Sequence, residues 1–366
     1  MNVVIAGGGT AGHVFPAVAL ADRLAASGDT VSFIGSPQGQ EAALVPAAGY
    51  RFHAVAAAPM KREVSVATAK APFVAAGSVR SCVPLVRPAD VVVGVGGYVS
   101  VPAVMAARWA HRPIVLHEQN AIPSLSNRAL ARFASAVGVS FGSSRAAFGA
   151  RVRTVMTGNP VRAPIASARA RQVELAEEAG ATFDLEAGRT TVVVFGGSQG
   201  ALHLDQLVAG SLKHLRYRDD LQMIVLTGRD HLDVVASAAT DVAPLLVRPI
   251  AFLDRIELAL AVADLAVARA GAGHIAELTD CGVPSILVPY PHATENHQEA
   301  NARELVSVGA AELALEGDLS SELLARRILA LVDDDEGRTT MSEAALAWAT
   351  PDADQRLADL VHEVGR

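Results

Sequence analysis

Short apolar runs alternate with longer stretches of helical periodicity almost from one end of the chain to the other. In the first half the runs fall at 2–6, 30–35, 90–95, 113–117, 136–139 and 154–156. In the second half they fall at 190–195, 221–226, 245–247, 264–268 and 284–288. Apolar runs of this length separated by helices predict parallel strands joined by right-handed crossovers. The pattern starts twice: strand, Gly-rich turn and helix occur at 3–24 and again at 192–215. Between the two halves, Thr157-Gly158-Asn159-Pro160-Val161-Arg162 punctuates the chain, and a polar helix is predicted over 163–179. The expected architecture is therefore α/β, with two Rossmann-like doubly wound domains at 1–160 and 161–339. Ligands are expected at the carboxyl ends of their strands. Beyond residue 339 the chain reads as helical again, and Pro351-Asp352-Ala353-Asp354 opens the last helix with an acidic first turn.

Composition narrows the picture. A chain of 366 residues is long enough for two cores, and 51% apolar with 4% aromatic content suits helices packed on buried Val/Ile/Leu strands. Against 38 Asp+Glu stand 31 Lys+Arg; the net charge of −7 argues against a nucleic-acid partner, whose affinity would come from phosphate neutralisation. Cys82 and Cys281 form no CxxC and read as core thiols, in keeping with a reducing compartment. The first residues already read as a strand, with no basic leader region. The nearest approach to a membrane span, 71–86, contains Arg80, Ser81 and two prolines.

The chemistry-bearing residues gather after strands. Gly7-x-Gly9-x-x-Gly12 has the spacing of a dinucleotide fingerprint. An NAD enzyme also needs a carboxylate at the end of the second strand, which here reads Phe33-Ile34-Gly35-Ser36-Pro37, with no acid before Glu41. His13 opens the following helix, where the helix dipole disfavours imidazolium; a neutral base there could take a proton from an attacking hydroxyl, or the ring could simply cap or pack. Gly196-Gly197-Ser198-Gln199-Gly200-Ala201 lacks the Walker lysine but offers backbone N–H groups and the Ser198 hydroxyl to a pyrophosphate. Arg269-Ala270-Gly271-Ala272-Gly273-His274-Ile275-Ala276-Glu277 makes a second such helix start, with Glu277 placed to accept from ribose hydroxyls or to partner the helix dipole. Pro289 to Asn301 is rich in Gln, Asn and His, donors and acceptors that suit sugar hydroxyls. In the first half, 94–100 and His117-Glu118-Gln119-Asn120 stand at the same strand edge as His13.

Asp333-Asp334-Asp335 and Asp352-x-Asp354 have a DxD look, but they lie near helix boundaries in the tail, so no metal site is expected. The segment 60–88 carries Lys61, Arg62, Lys70, Arg80 and Arg87 against Glu63 alone, interleaved with apolar residues. Such a stretch in an acidic chain suits an anionic membrane surface or a core helix with ordinary surface charge.

Five ordered segments carry a resemblance across nearly the whole chain: Gly8 to Ala17, Gly96 to Ser100, His117 to Asn120, Thr157 to Arg162 and Gly196 to Ala201. Together they resemble the MurG family of UDP-sugar glycosyltransferases. The resemblance implies a GT-B fold with an interdomain cleft and no cofactor. It implies inverting, metal-independent transfer of N-acetylglucosamine from UDP-N-acetylglucosamine to the 4-hydroxyl of undecaprenyl-pyrophosphoryl-N-acetylmuramyl pentapeptide, lipid I, giving lipid II for peptidoglycan. The enzyme would work peripherally on the cytoplasmic side of the cell membrane. The last helix, within 340–366, would pack back on the first domain, which would bind the acceptor. His13 is then the leading candidate for the base, with Glu118 as the fallback, and Gly97 and Tyr98 lie in an acceptor loop. Donor-binding positions are Thr10, Ala11, Gly12, Asn120, Arg162, Ser198, Leu253, Ala272, Gly273, His274, Ile275, Glu277 and Gln298. The chain departs from the family pattern at His274, where a hydroxyl is common. The alternatives are another GT-B enzyme (a natural-product glycosyltransferase or a UDP-sugar epimerase) and a non-catalytic nucleotide-sugar-binding protein.

Overall fold

The computed structural model describes residues 1–55, 66–197 and 200–366, with the backbone alone at 66–75. The chain divides into two compact units. The first comprises Met1–Arg162 and Thr350–Arg366, and the second Ala163–Ala349.

Unit 1 is built on a seven-stranded parallel sheet. Its strands are β1 (Asn2–Ala6), β2 (Thr30–Gly35), β3 (Arg51–Ala54), β4 (Val91–Gly94), β5 (Ile114–Glu118), β6 (Ala136–Val139) and β7 (Thr154–Met156), in the order 3-2-1-4-5-6-7. Unit 2 carries six parallel strands: β8 (Thr190–Phe195), β9 (Leu221–Leu226), β10 (Leu246–Ile250), β11 (Leu265–Ala268), β12 (Ser285–Leu287) and β13 (Ala311–Leu313), in the order 10-9-8-11-12-13. Central strands such as β4, β9 and β11 are buried at every residue. Helices on both faces of a parallel sheet leave no polar side, which is why these strands read as mainly apolar runs, Gln222 in β9 being the buried polar exception.

Strand order reverses between β1 and β4 in unit 1 and between β8 and β11 in unit 2. Turns diverge at such a point and open a crevice at the carboxyl ends. The Gly-rich turns after β1, β4, β8 and β11 all lie there.

Three features differ from expectation. Strands β3 and β13 lie at sheet edges; Arg51-Phe52-His53-Ala54 and Ala311-Glu312-Leu313 are too short or too polar to stand out as apolar runs. The predicted helix over 163–179 is two pieces, Ala163–Ala166 and Gln172–Phe183. The tail is two helices divided between the units. Asp335–Trp348 lies in unit 2, where the Ser342 hydroxyl donates to the Gly282 carbonyl (2.6 Å). Extended Ala349 and Pro351 break the helix before Ala353–Gly365 begins in unit 1. That last helix buries Leu357, Ala358, Leu360 and Val361 in the core that holds Val3, Ile5, Leu20 and Leu24. Arg23 Nε meets Asp354 at 2.9 Å beside it.

Of the basic segment 60–88, residues 60–65 lie outside the described residues; the helix Val66–Val86 spans most of the remainder. Among the described residues no helix is long and apolar enough to cross a membrane.

Candidate active site

In unit 1, Thr10 caps the Ala11–Ala26 helix, and Ala11, Gly12 and His13 form its first turn. Thr10 Oγ1 lies 3.0 Å from His13 Nδ1. If Nδ1–H donates to the hydroxyl, Nε2 carries the lone pair and the ring can act as a base; the opposite tautomer would donate from Nε2. The ring lies against the turn after β4: a Cβ placed on Gly96 would stand 3.2 Å from His13 Cδ2 and 3.3 Å from Nε2. In that turn Gly97 has φ 76°, and a Cβ there would reach within 2.6 Å of the Gly8 carbonyl. Only glycine allows this contact. Thr10, Ala11, Gly12, His13 and Gly97 are thereby brought together, with half-buried Tyr98 next to Gly97 in the same turn.

β5 ends in His117 and Glu118, both buried. His117 Nε2 lies 3.0 Å from the Gly158 carbonyl, which fixes the proton on Nε2. Burial pushes the imidazole pKa down to about 4; the Gly158 hydrogen bond opposes this and nearby His13 adds to it. Glu118 has both carboxylate oxygens engaged. Oε1 accepts the Asn120 N–H (3.0 Å), and Oε2 accepts the Ser124 N–H (3.0 Å) and Asn127 Nδ2 (2.9 Å). Burial raises its pKa, against the pull of these donors. Glu118 thus shapes the loop that carries Asn120. Arg162, the last residue of unit 1 before the junction, stacks its guanidinium 4.7 Å from the Phe15 ring centroid, on the helix that begins with His13's turn.

In unit 2 the turn after β8 begins with Gly196 and Gly197; Ser198 lies outside the described residues. His274 occupies the first turn of the Ala272–Cys281 helix, capped by Gly271. Its Nδ1 donates to the Arg269 carbonyl (3.1 Å), its ring meets Phe195 edge-on at 5.0 Å, and a Cβ on Gly197 would stand 3.4 Å from it. Burial lowers the His274 pKa, against the Arg269 hydrogen bond. This joins the β8 and β11 turns at one helix N-terminus, where N–H groups and dipole favour an anion. Gly273, His274 and Glu277 are partly exposed there; Ala272 and Ile275 bury their side chains, and Ile275 donates its N–H to Gly271 (3.0 Å), within the helix. Leu253 follows β10, half-buried beside exposed Phe252. Gln298 opens the His297–Ser307 helix, and its Oε1 accepts the Tyr290 N–H (2.9 Å).

Several supporting residues escaped sequence reading. Buried Asp205 lies 3.3 Å from His231 Nδ1 beneath the β8 turn, and burial pushes its pKa up to about 6 against the pull of Ala201, His231 and Arg269. Buried Arg269 pairs with Glu316 and donates to the Val288 (3.1 Å) and Pro289 (3.2 Å) carbonyls. Asn301, fully buried, donates to Ala270 (3.1 Å). Asp205 and Asn301 signal themselves only as polar residues where the helix pattern wants apolar ones, and Arg269 stands in the turn after β11, where a charge raises no question.

The acidic clusters have local partners. Asp333 pairs with Arg218 (2.7 Å), Asp334 caps a helix at Gly337, Asp335 pairs with Arg338, Asp352 with Arg356 and Asp354 with Arg23. Among the described residues no three His, Cys, Asp or Glu side chains are grouped to hold a metal ion.

Two Rossmann-like parallel-sheet units, each with Gly-rich turns opening helices at its switch point, define the GT-B fold class. The glycosyltransferase family 28 N-terminal domain matches residues 3–139, and the family 28 C-terminal domain matches residues 191–359. A UDP-N-acetylglucosamine–N-acetylmuramyl-(pentapeptide) pyrophosphoryl-undecaprenol N-acetylglucosamine transferase of Geobacter metallireducens is 40% identical over 98% of this chain and 97% of its own. The crystal structure of Acinetobacter baumannii MurG superposes with a TM-score of 0.79 at 27% identity, covering 99% of each chain. The calicheamicin glycosyltransferase CalG4, at 16% identity and a TM-score of 0.66 over 99% of this chain and 98% of its own, shares the fold alone. The chain belongs to glycosyltransferase family 28 and, within it, to the MurG family of hexosyltransferases.

Proposed function

We propose that the chain transfers N-acetylglucosamine from UDP-N-acetylglucosamine to the 4-hydroxyl of the N-acetylmuramyl group of lipid I, giving lipid II. The observation that carries this reading is the full-length identity to transferases of that name, since the fold is shared with enzymes of other specificity. Unit 2 holds the nucleotide. The helix start at Gly271–Ile275 meets the pyrophosphate, Leu253 the uracil, Glu277 the ribose and Gln298 the sugar, with Ser198 and Arg162 completing the donor contacts. Unit 1 holds the acceptor near Gly97 and Tyr98, and by the resemblance to the family Thr10, Ala11, Gly12 and Asn120 count among the donor-binding positions.

In the reaction, His13 Nε2 takes the proton of the 4-hydroxyl as its oxygen attacks the anomeric carbon. The bond to UDP breaks on the opposite face, so configuration inverts, and the leaving diphosphate keeps the electron pair. N–H groups at helix starts stabilise that charge. Glu118, its oxygens engaged by loop donors, is the positioning group rather than the base. The basic, apolar stretch 60–88 meets anionic lipid at the cytoplasmic membrane face, where the acceptor resides.

Incubation with UDP-N-acetylglucosamine and a lipid-linked acceptor analogue should yield the disaccharide only when both are present. Turnover of a different donor with none of this one refutes the assignment, and a new UDP-sugar isomer formed without acceptor identifies an epimerase. His13→Ala should cut turnover strongly while UDP binding persists. Liposome sedimentation across a salt series checks the lipid contact, which should weaken as salt rises.

A further inference from the structure

The Gly7–Gly12 turn has the spacing that elsewhere holds a dinucleotide pyrophosphate, yet in this chain an anion from the protein already occupies part of it. Glu41, 1% exposed, starts the Glu41–Ala47 helix and points its carboxylate inward. Oε2 accepts the Gly9 N–H at 2.7 Å, and Oε1 accepts the Ser36 N–H at 2.9 Å. One carboxylate thus ties the turn after β1 to the end of β2. Three glycines make room for it: an added Cβ would stand 2.2 Å from Glu41 Cδ at Gly8, 2.5 Å from Cγ at Gly35 and 2.1 Å from Oε2 at Gly39. None of these three positions can carry a side chain while Glu41 stays where it is. The result is a socket cut to a carboxylate, with two backbone donors at its base.

Gly9 directly precedes Thr10, which caps the helix and holds His13 Nδ1. Gly8, on the other side, lies so close to Gly97 that a Cβ added to Gly97 would stand 2.6 Å from the Gly8 carbonyl oxygen. The carboxylate therefore fixes the piece of backbone from which the candidate base and the acceptor turn are both hung.

We propose that Glu41 is a positioning residue, a built-in anion that takes the Gly9 N–H in place of a ligand phosphate and pre-forms the turn that aims His13. Its link to catalysis rests on the transferase reading above; its role as the internal anion of the turn does not. A free carboxylate of the right size satisfies the same two N–H groups once the side chain is cut away, so the test is chemical rescue.

Glu41→Ala is expected to lower transferase turnover by roughly tenfold to a hundredfold, the scale on which misplaced catalytic groups act. UDP affinity, a property of unit 2, should stay within about twofold. Acetate or formate, but not chloride at equal ionic strength, should restore turnover severalfold in Glu41→Ala and leave the wild type unchanged. Glu41→Gln keeps the volume but turns one amide N–H toward a backbone N–H; it should be impaired and not rescued. Independently of turnover, the Gly9 and Ser36 amides should exchange slowly in the wild type, fast in Glu41→Ala and slowly again with acetate. Exchange rescue without any transferase activity would sink the function and leave the socket standing. Wild-type turnover in Glu41→Gln, or Gly9 and Ser36 amides equally protected in Glu41→Ala without acetate, would overturn the proposal.

Discussion

Acidification should act on this protein through His117, and the size of the effect follows from its surroundings. The ring is buried at the end of β5, donates from Nε2 to the Gly158 carbonyl, and among the described residues has no hydrogen-bond partner at Nδ1, where a second proton would have to sit. Its pKa falls from 6.5 to about 4. Between these values the unfolded chain binds a proton that the folded chain refuses, so stability falls as pH drops from about 6.5 toward 4 and is unaffected by this group above that window. At about 1.4 kcal/mol per pH unit, a fall from 6.5 to about 4 amounts to about 3 kcal/mol lost across the window. Urea unfolding at intervals between pH 4 and 7.5 measures it, with unit 1 followed by a probe of its own. His117→Gln, which keeps an N–H donor but cannot titrate, should be less stable at pH 7.5 and should flatten the acid limb by about that amount. A wild-type His117 that titrates near 6.5 by NMR, or a variant with the same acid limb as the wild type, would refute this account of a ring held neutral.

Further outcomes follow from packing. Leu357→Ala removes a fully buried side chain from the helix that closes the unit 1 core and should cost about 2–5 kcal/mol, read as a lowered unfolding midpoint for unit 1 with unit 2 unchanged. Gly97→Ala places a methyl group 2.6 Å from the Gly8 carbonyl at a positive φ; transfer should fall while UDP binding is retained, as kinetics and calorimetry on one sample would show. Arg269→Met removes a buried guanidinium from Glu316, whose largely covered carboxylate keeps, among the described residues, only His203 as a partner, and should destabilise unit 2 by about 3 kcal/mol in denaturant titration.

Legibility in the sequence followed burial. Strands such as β4 and β9, covered on both faces, declare themselves as Val and Ile runs; β3 and β13, at the edges, do not. The turns could be seen because glycine marks where backbone must come close, as at Gly97 against Gly8. What the sequence hid was side-chain direction. Glu41 counted only as an acid too late for an NAD ribose, and nothing in its spacing says that it turns inward to Gly9. Glu118 stood as a fallback base, and nothing in its spacing announces that Asn120, Ser124 and Asn127 all donate to its carboxylate. Tail helicity and the fresh helix start at Pro351 were evident, but that the stretch before it belongs to unit 2 depends on which core each half completes, a tertiary choice that periodicity does not record.

The placement of Ala353–Gly365 has a consequence for how the protein comes into being. Unit 2 is an insertion in the sequence of unit 1, and the helix that covers β1's neighbourhood is synthesised only after the whole of unit 2. During synthesis unit 2 can complete its core while unit 1 still shows bare Val3, Ile5 and Leu24. The first half of the chain to be made therefore matures after the second, and a nascent chain stalled short of residue 353 leaves uncovered the apolar face that Leu357, Leu360 and Val361 would bury.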